Sequence, residues 1–343
     1  MIPTSEEQLL FLTKLQRVFA EGEFSSTYKF ALLIALAELA VELGQDNREP
    51  LRLTHKSIAG KFVDLYWQQL APYSVGKVGV LIQNNGTQAA VITAVAEFRR
   101  LYPGATAASA KSMTGYDAML KTVARTVSAQ PVNFLQNLGG QTDPFLYERV
   151  QGAVTLNHGV AYCFRRFQPL VQQLARRHWI DHLKRNRQNL PVLGQGDDLE
   201  SFLFETSRQS LAIIGEGLRR IDNGHCFYCR AKVREADVDH FMPFSLYPRD
   251  LTHNFVLTHP ACNRSKSNAL AARMHLDRWL EHITINDDAI REIGNAAGRN
   301  TDMSASRAVA RWGYGNAVSS GSQAWLRAGT FEPVDAGYLS SLA

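Results

Sequence analysis

Two short pairs of metal-binding residue types, Cys226-x-x-Cys229 and His259-x-x-Cys262, stand close together in the second half of the chain and constrain its fold more than anything else in it. Three thiolates and one imidazole in two such knuckles are a ligand set that zinc uses in closed structural sites, so the segment between them must fold back on itself to bring the pairs together. His225 and His253 lie near enough in sequence to compete with His259 for the fourth position. Of the four cysteines only Cys163 is left outside this set, and it reads as a small core residue. Cysteines used this way suit a reducing compartment rather than a disulfide framework.

The knuckle spacing does not account for Asp239, His240, Asn254 and Asn263, which lie in the runs VDHFMP, HNFVLT and CNRSKSN. Taken in order with the knuckles, these runs resemble the HNH endonucleases, the ββα-metal nucleases, in their zinc-stapled form and His-Asn-Asn variant. The resemblance covers residues 226–270 and implies a strand ending in Asp239-His240, a second strand opened by Asn254, and a helix carrying Asn263. It further implies His240 as general base, Asp239 and Asn263 as ligands of a catalytic divalent cation, and Asn254 as a brace for the loop that orients His240. Arg264 and Lys266, in the first turns of that helix, are placed for contacts with a flanking phosphate.

Phosphodiester hydrolysis asks for these residue types. Water must lose a proton near neutral pH, and imidazole, with an unperturbed pKa of about 6.5, is the side chain suited to take it. Charge building on the phosphate and the leaving oxygen calls for a hard cation, Mg2+ or Mn2+, held by oxygen ligands. One carboxylate and one amide oxygen leave most of its coordination sphere open to phosphate and water. A zinc module that only binds nucleic acid needs the four knuckle ligands but not Asp239, His240 and Asn263 together. A nuclease subunit active only within a larger assembly is the other alternative.

Elsewhere the chain reads as mainly helical. Tyr28 to Leu43 is apolar on nearly every face and belongs at the centre of its domain. Leu51 to Thr54 reads as a short strand, Ser57 to Leu70 as a helix, and VTLNHGVAYCFRRF, from Val154, as a small hairpin around Gly159. Residues 165–187 hold seven cations, among them Arg176, Arg177, Lys184 and Arg185, against the single acid Asp181; their net +6 exceeds the +5 of the whole chain. The basic balance is therefore local, and it suggests a phosphate-binding face. QNLPVLGQGDD, residues 188–198, has the composition of a linker, and Leu199 to Arg220 follows as one helix. Residues 284–328 read as two further amphipathic helices that include Trp312 and Trp325.

The expectation is an α+β protein: a mainly helical domain over 1–190, of use in DNA placement, oligomerisation or partner binding, then a zinc-stapled HNH domain over 199–330 with its core at about 226–270. The expected activity is metal-dependent cleavage of DNA, double-stranded rather than single-stranded, with restriction or antiphage defence as the role suggested by analogy. With no basic n-region and no apolar run of membrane-spanning length, the chain is expected in the cytoplasm and without a membrane partner.

Overall fold

The computed structural model describes residues 1–73, 75–194 and 199–342, which divide into two compact units: Met1–Ala105 with Ala110–Phe204, and Thr106–Ser109 with Glu205–Ala343. The first unit is built around the helix Tyr28–Leu43, buried at every position from Tyr28 to Val41. Apolar residues on all its faces leave it no solvent side, and the helices His55–Gln68, Val160–Arg166 and Gln168–Arg185 pack around it. Its buried Glu38 has the Lys61 ammonium 3.4 Å away. Leu51–Thr54 pairs antiparallel with Ala153–Leu156, which also pairs with Tyr147–Val150.

The hairpin expected around Gly159 does not form. The chain leaves the sheet at Leu156, and Gly159, at φ +76°, caps the helix Val160–Arg166 in the left-handed conformation that glycine alone adopts freely. The β-branched and aromatic residues that suggested a strand, Val160 and Phe164 among them, are the buried face of that helix. The expected linker is likewise structured. Arg187–Asn189 is a 3-10 turn and Leu190–Leu193 a short helix, anchored where Asn189 accepts a hydrogen bond from the Ile82 N–H at 2.7 Å. The rest of that stretch, residues 195–198, lies outside the described residues.

Leu199 to Arg220 is two helices rather than one. Leu199–Phe204 closes the first unit and Arg208–Ile221 opens the second, because Ser207 is extended and its hydroxyl caps the Ser210 N–H. The second unit centres on an antiparallel pair, Asp237–His240 with Phe255–Thr258, in which Asp239 faces Val256 and His240 faces Phe255, followed by the helix Pro260–Lys266. Phe255 and Leu257 pack into a core with Ile214 and Leu218 of one helix and Ile293 and Ala297 of Asp287–Ala297. Those helices touch at Gly217, where a Cβ would lie 2.4 Å from Ile293. The helix Arg273–Ile285 lays Trp279 flat on Phe241, ring centroids 4.7 Å apart, and the indole N–H donates to the His253 carbonyl at 3.0 Å.

Beyond these, Asp287–Ala297 and Met303–Ser320 are the two helices expected over 284–328, but Trp325 lies on a strand, Gln323–Arg327, paired with Thr330–Pro333. Among the described residues no helix is long and apolar enough to cross a membrane.

Candidate active site

The two knuckles converge. The ligand atoms of Cys226, Cys229, His259 and Cys262 all lie within 4.8 Å of one another, and Cys229 Sγ is 3.2 Å from His259 Nδ1. The other ring nitrogen of His259 donates to the Lys232 carbonyl at 3.2 Å; a carbonyl only accepts, so Nδ1 is left as the metal-facing atom. Burial and the neighbouring Cys226 and Cys229 push the Cys262 thiol up to about 12. The cluster fits a zinc-stapled HNH domain. His253 is instead fully buried with its Nε2 2.8 Å from Asp287, and His225 rests against the Asp222 carbonyl, so neither competes for the fourth position. Arg278 secures the first knuckle by donating to the carbonyls of Phe227 and Tyr228 at 2.9 and 3.0 Å.

Asp239 sits one residue before the strand's end and is buried at 7% exposure. Its Oδ2 accepts from the Tyr228 hydroxyl at 2.7 Å and lies 3.1 Å from the Lys266 ammonium, while Oδ1 has no protein partner among the described residues. Asn263, on the helix Pro260–Lys266, donates its Nδ2 to Asp237 Oδ2 at 3.1 Å. That bond settles the amide's orientation and leaves its oxygen as the group available to a cation. Strand alternation puts Asp237 and Asp239 on the same face, toward the helix that carries Asn263 and Lys266.

Asn254 makes a closed pair with the backbone of Met242: its Oδ1 accepts the Met242 N–H at 2.7 Å and its Nδ2 donates to the Met242 carbonyl at 2.9 Å. The Phe241 N–H donates to the Asn254 carbonyl at 2.7 Å as well, so the turn that follows His240 is tied at three points to the residue just before the second strand. The His240 ring packs between Phe244 and Phe255, with centroids at 5.2 and 4.7 Å, and its Nε2 lies 2.6 Å from Asp250 Oδ1. No hydrogen bond or ion pair joins the ring to Asp239 or Asn263 among the described residues; they are related by chain adjacency and by Lys266, which also donates to the His240 carbonyl at 2.9 Å.

Two of the expected phosphate contacts are displaced. Lys266 is 1% exposed and spent on Asp239 and the His240 carbonyl, so it is an internal tie between helix and strand, whereas Arg264 is exposed on the same helix. Burial draws the Lys266 ammonium below its usual range, and Asp239 opposes that. Arg176 is also buried, its guanidinium over the Phe204 ring at 4.7 Å, because it falls on the inward face of the helix Gln168–Arg185. Arg177, Lys184 and Arg185 are exposed, Arg177 with Asp181 at 3.3 Å.

Sequence reasoning missed Asp237, Tyr228 and Asp250. Asp237 carried a signal, since a residue two before Asp239 on a strand shares its face. Tyr228 sits inside the CxxC knuckle and is signalled only by being aromatic there. Asp250 lies in a polar turn, PRDLT, and nothing local distinguishes it.

A hairpin, a short helix bearing the amide, and a Cys3His staple joining the chain before the first strand to the chain after the second define an HNH domain, and residues 227–272 match the family model described as HNH endonuclease. Residues 9–196, more than half of the chain, match the model of the domain of unknown function DUF8808, and the chain belongs to that family. No curated protein and no solved structure matches it.

Proposed function

We propose that the protein is a metal-dependent endonuclease that hydrolyses phosphodiester bonds in DNA, with His240 as general base and Asp239 and Asn263 as ligands of the catalytic cation. The observation that carries this reading is the pair of oxygens, Asp239 Oδ1 and Asn263 Oδ1, that have no protein partner among the described residues, while the other atoms of the same two groups are held by Tyr228, Lys266 and Asp237. Tyr228, Lys266 and Asp237 hold the carboxylate and the amide by their other atoms, which orients a partial ligand set and keeps the remaining positions open. A hard divalent cation bound there supplies charge neutralisation for the phosphate and the leaving oxygen. His240 takes the proton of the attacking water, and Asn254 keeps its turn from shifting.

Zinc at Cys226, Cys229, His259 and Cys262 is read as structural, since four protein ligands leave no position for substrate. Arg264 reaches toward a flanking phosphate from the helix, and the exposed Arg177, Lys184 and Arg185 give the first unit a phosphate-binding face of its own. The N-terminal unit is proposed to place DNA or to hold a protein partner or second copy.

The purified full chain, incubated with supercoiled plasmid, linear duplex or RNA, is expected to cut DNA with Mg2+ or Mn2+ and to stop when EDTA is added. His240→Ala is expected to lower turnover by about 10²–10⁴-fold with folding and zinc content unchanged. Cleavage by His240→Ala at the parental rate refutes the assignment of the base, and cleavage of RNA alone refutes the substrate.

A further inference from the structure

The contact between His240 and Asp250 is not part of the motif, and it constrains the chemistry of the ring. Asp250 is buried, its side chain 6% exposed, whereas that of His240 is 25% exposed. Asp250 Oδ1 stands 2.6 Å from His240 Nε2, and Asp250 Oδ2 accepts the Thr206 hydroxyl proton. Burial pushes this carboxyl up, but the His240 ring, Thr206 and the Arg299 charge outweigh it, so Asp250 stays ionised. An ionised carboxylate only accepts hydrogen bonds, so the proton between the two groups belongs to the imidazole. A neutral imidazole that keeps its proton on Nε2 carries its lone pair on Nδ1, the nitrogen with no protein partner among the described residues. Phe244 and Phe255 flank the ring and restrict its rotation, so the two nitrogens do not exchange places freely.

We infer that Asp250, itself held by Thr206, is the positioning residue that makes Nδ1 of His240 the basic nitrogen, and that without this carboxylate the imidazole is present but wrongly protonated for its task. This rests on the nuclease reading for its consequence, but the position of the proton is measurable without any cleavage. Asp250 does not touch substrate; it acts through the ring by fixing its tautomer and orientation, as a carboxylate does in hydrolytic triads of other folds.

The discriminating variant is Asp250→Asn. With the Thr206 hydroxyl still donating to the carboxamide oxygen, the NH2 group is turned toward His240 as a donor. The ring must then accept on Nε2 and carry its proton on Nδ1, the nitrogen needed as base. Long-range 1H–15N spectra of the full chain, with the His240 signals identified by their loss in His240→Ala, report which nitrogen is protonated. The parental protein is expected to show a protonated Nε2 and a bare Nδ1, and Asp250→Asn the reverse. In plasmid cleavage, Asp250→Asn is expected to lower kcat by about 10²–10⁴-fold with KM little changed. Asp250→Glu, which restores a carboxylate, is expected to recover the parental ring signature and part of the rate. A proton on Nδ1 in the parental protein overturns the inference before any variant is made. So does an Asp250→Asn variant with parental spectrum and parental kcat. A parental chain that cuts no nucleic acid removes the nuclease reading instead, and the spectrum still decides the tautomer.

Discussion

At the scale of single residues, the site shows how two adjacent cations of one short helix come to have different work. Arg264 and Lys266 are two positions apart, so a helical turn of about 100° per residue separates them by most of a half-circle, and only one of them can face solvent. Lys266 is the inward one, paired with Asp239 at 3.1 Å with its own side chain fully buried. Removing one partner of a buried pair leaves the other charge uncompensated, at a cost of about 3–5 kcal/mol. Lys266→Ala is therefore expected to lower the denaturant midpoint strongly, whereas Arg264→Ala leaves it in place and weakens DNA binding. Equal stability of the two variants in urea titrations would show that Lys266 does not tie the helix to the strand. The same division separates Arg176, buried over Phe204, from its exposed neighbour Arg177.

At the scale of elements, the hairpin and the short helix depend on the staple at their ends. The strands Asp237–His240 and Phe255–Thr258 are four residues each, and a two-stranded hairpin of that length is marginal by itself. One face is buried against Ile214, Leu218 and Ile293, and the ends are drawn together by the four ligands, Cys226 and Cys229 before the first strand and His259 and Cys262 after the second. Metal binding at such a cluster adds directly to folding free energy. Freshly purified protein is expected to hold one zinc per chain by elemental analysis, and Cys226→Ser to lower both zinc content and thermal midpoint. His259→Ala should lose zinc where His253→Ala does not, since His253 is engaged with Asp287 outside the cluster. Zinc retained in full by His259→Ala would move the fourth ligand elsewhere.

At the scale of the whole molecule, the basic stretch belongs to the first unit and the HNH domain to the second. The helix Gln168–Arg185 buries Val171, Ala175, Trp179 and Leu183, and Arg177, Lys184 and Arg185 lie outside that buried face. If they contact phosphates, each loss flattens the dependence of log affinity on log salt by about 0.9 for duplex DNA. The triple variant Arg177→Ala, Lys184→Ala, Arg185→Ala, made in a His240→Ala background, is expected to bind unrelated duplexes about equally weakly and with a shallower salt slope. An unchanged slope in the same titration would assign these residues to an ordinary solvated face.

What was legible in the sequence was whatever depends on local spacing. The knuckles, the Asp239-His240 pair, Asn254 and Asn263 lie within a few dozen residues, and the all-round apolar helix Tyr28–Leu43 declares its own burial; their identities follow from ligand chemistry and helical period. The run around Gly159 was ambiguous because β-branched and aromatic residues fit a buried helix as well as a strand, and the bond from the Cys163 N–H to the Gly159 carbonyl at 3.0 Å is what makes it a helix. Tertiary structure alone decided which side of a helix faced inward, and so sent Lys266 and Arg176 into the interior as partners of Asp239 and Phe204. It alone also brought Asp250 to His240 and Tyr228 to Asp239, each pair about ten residues apart across a turn. Residue type sets what a side chain can do, but orientation and protonation follow from neighbours that meet only when the chain has folded.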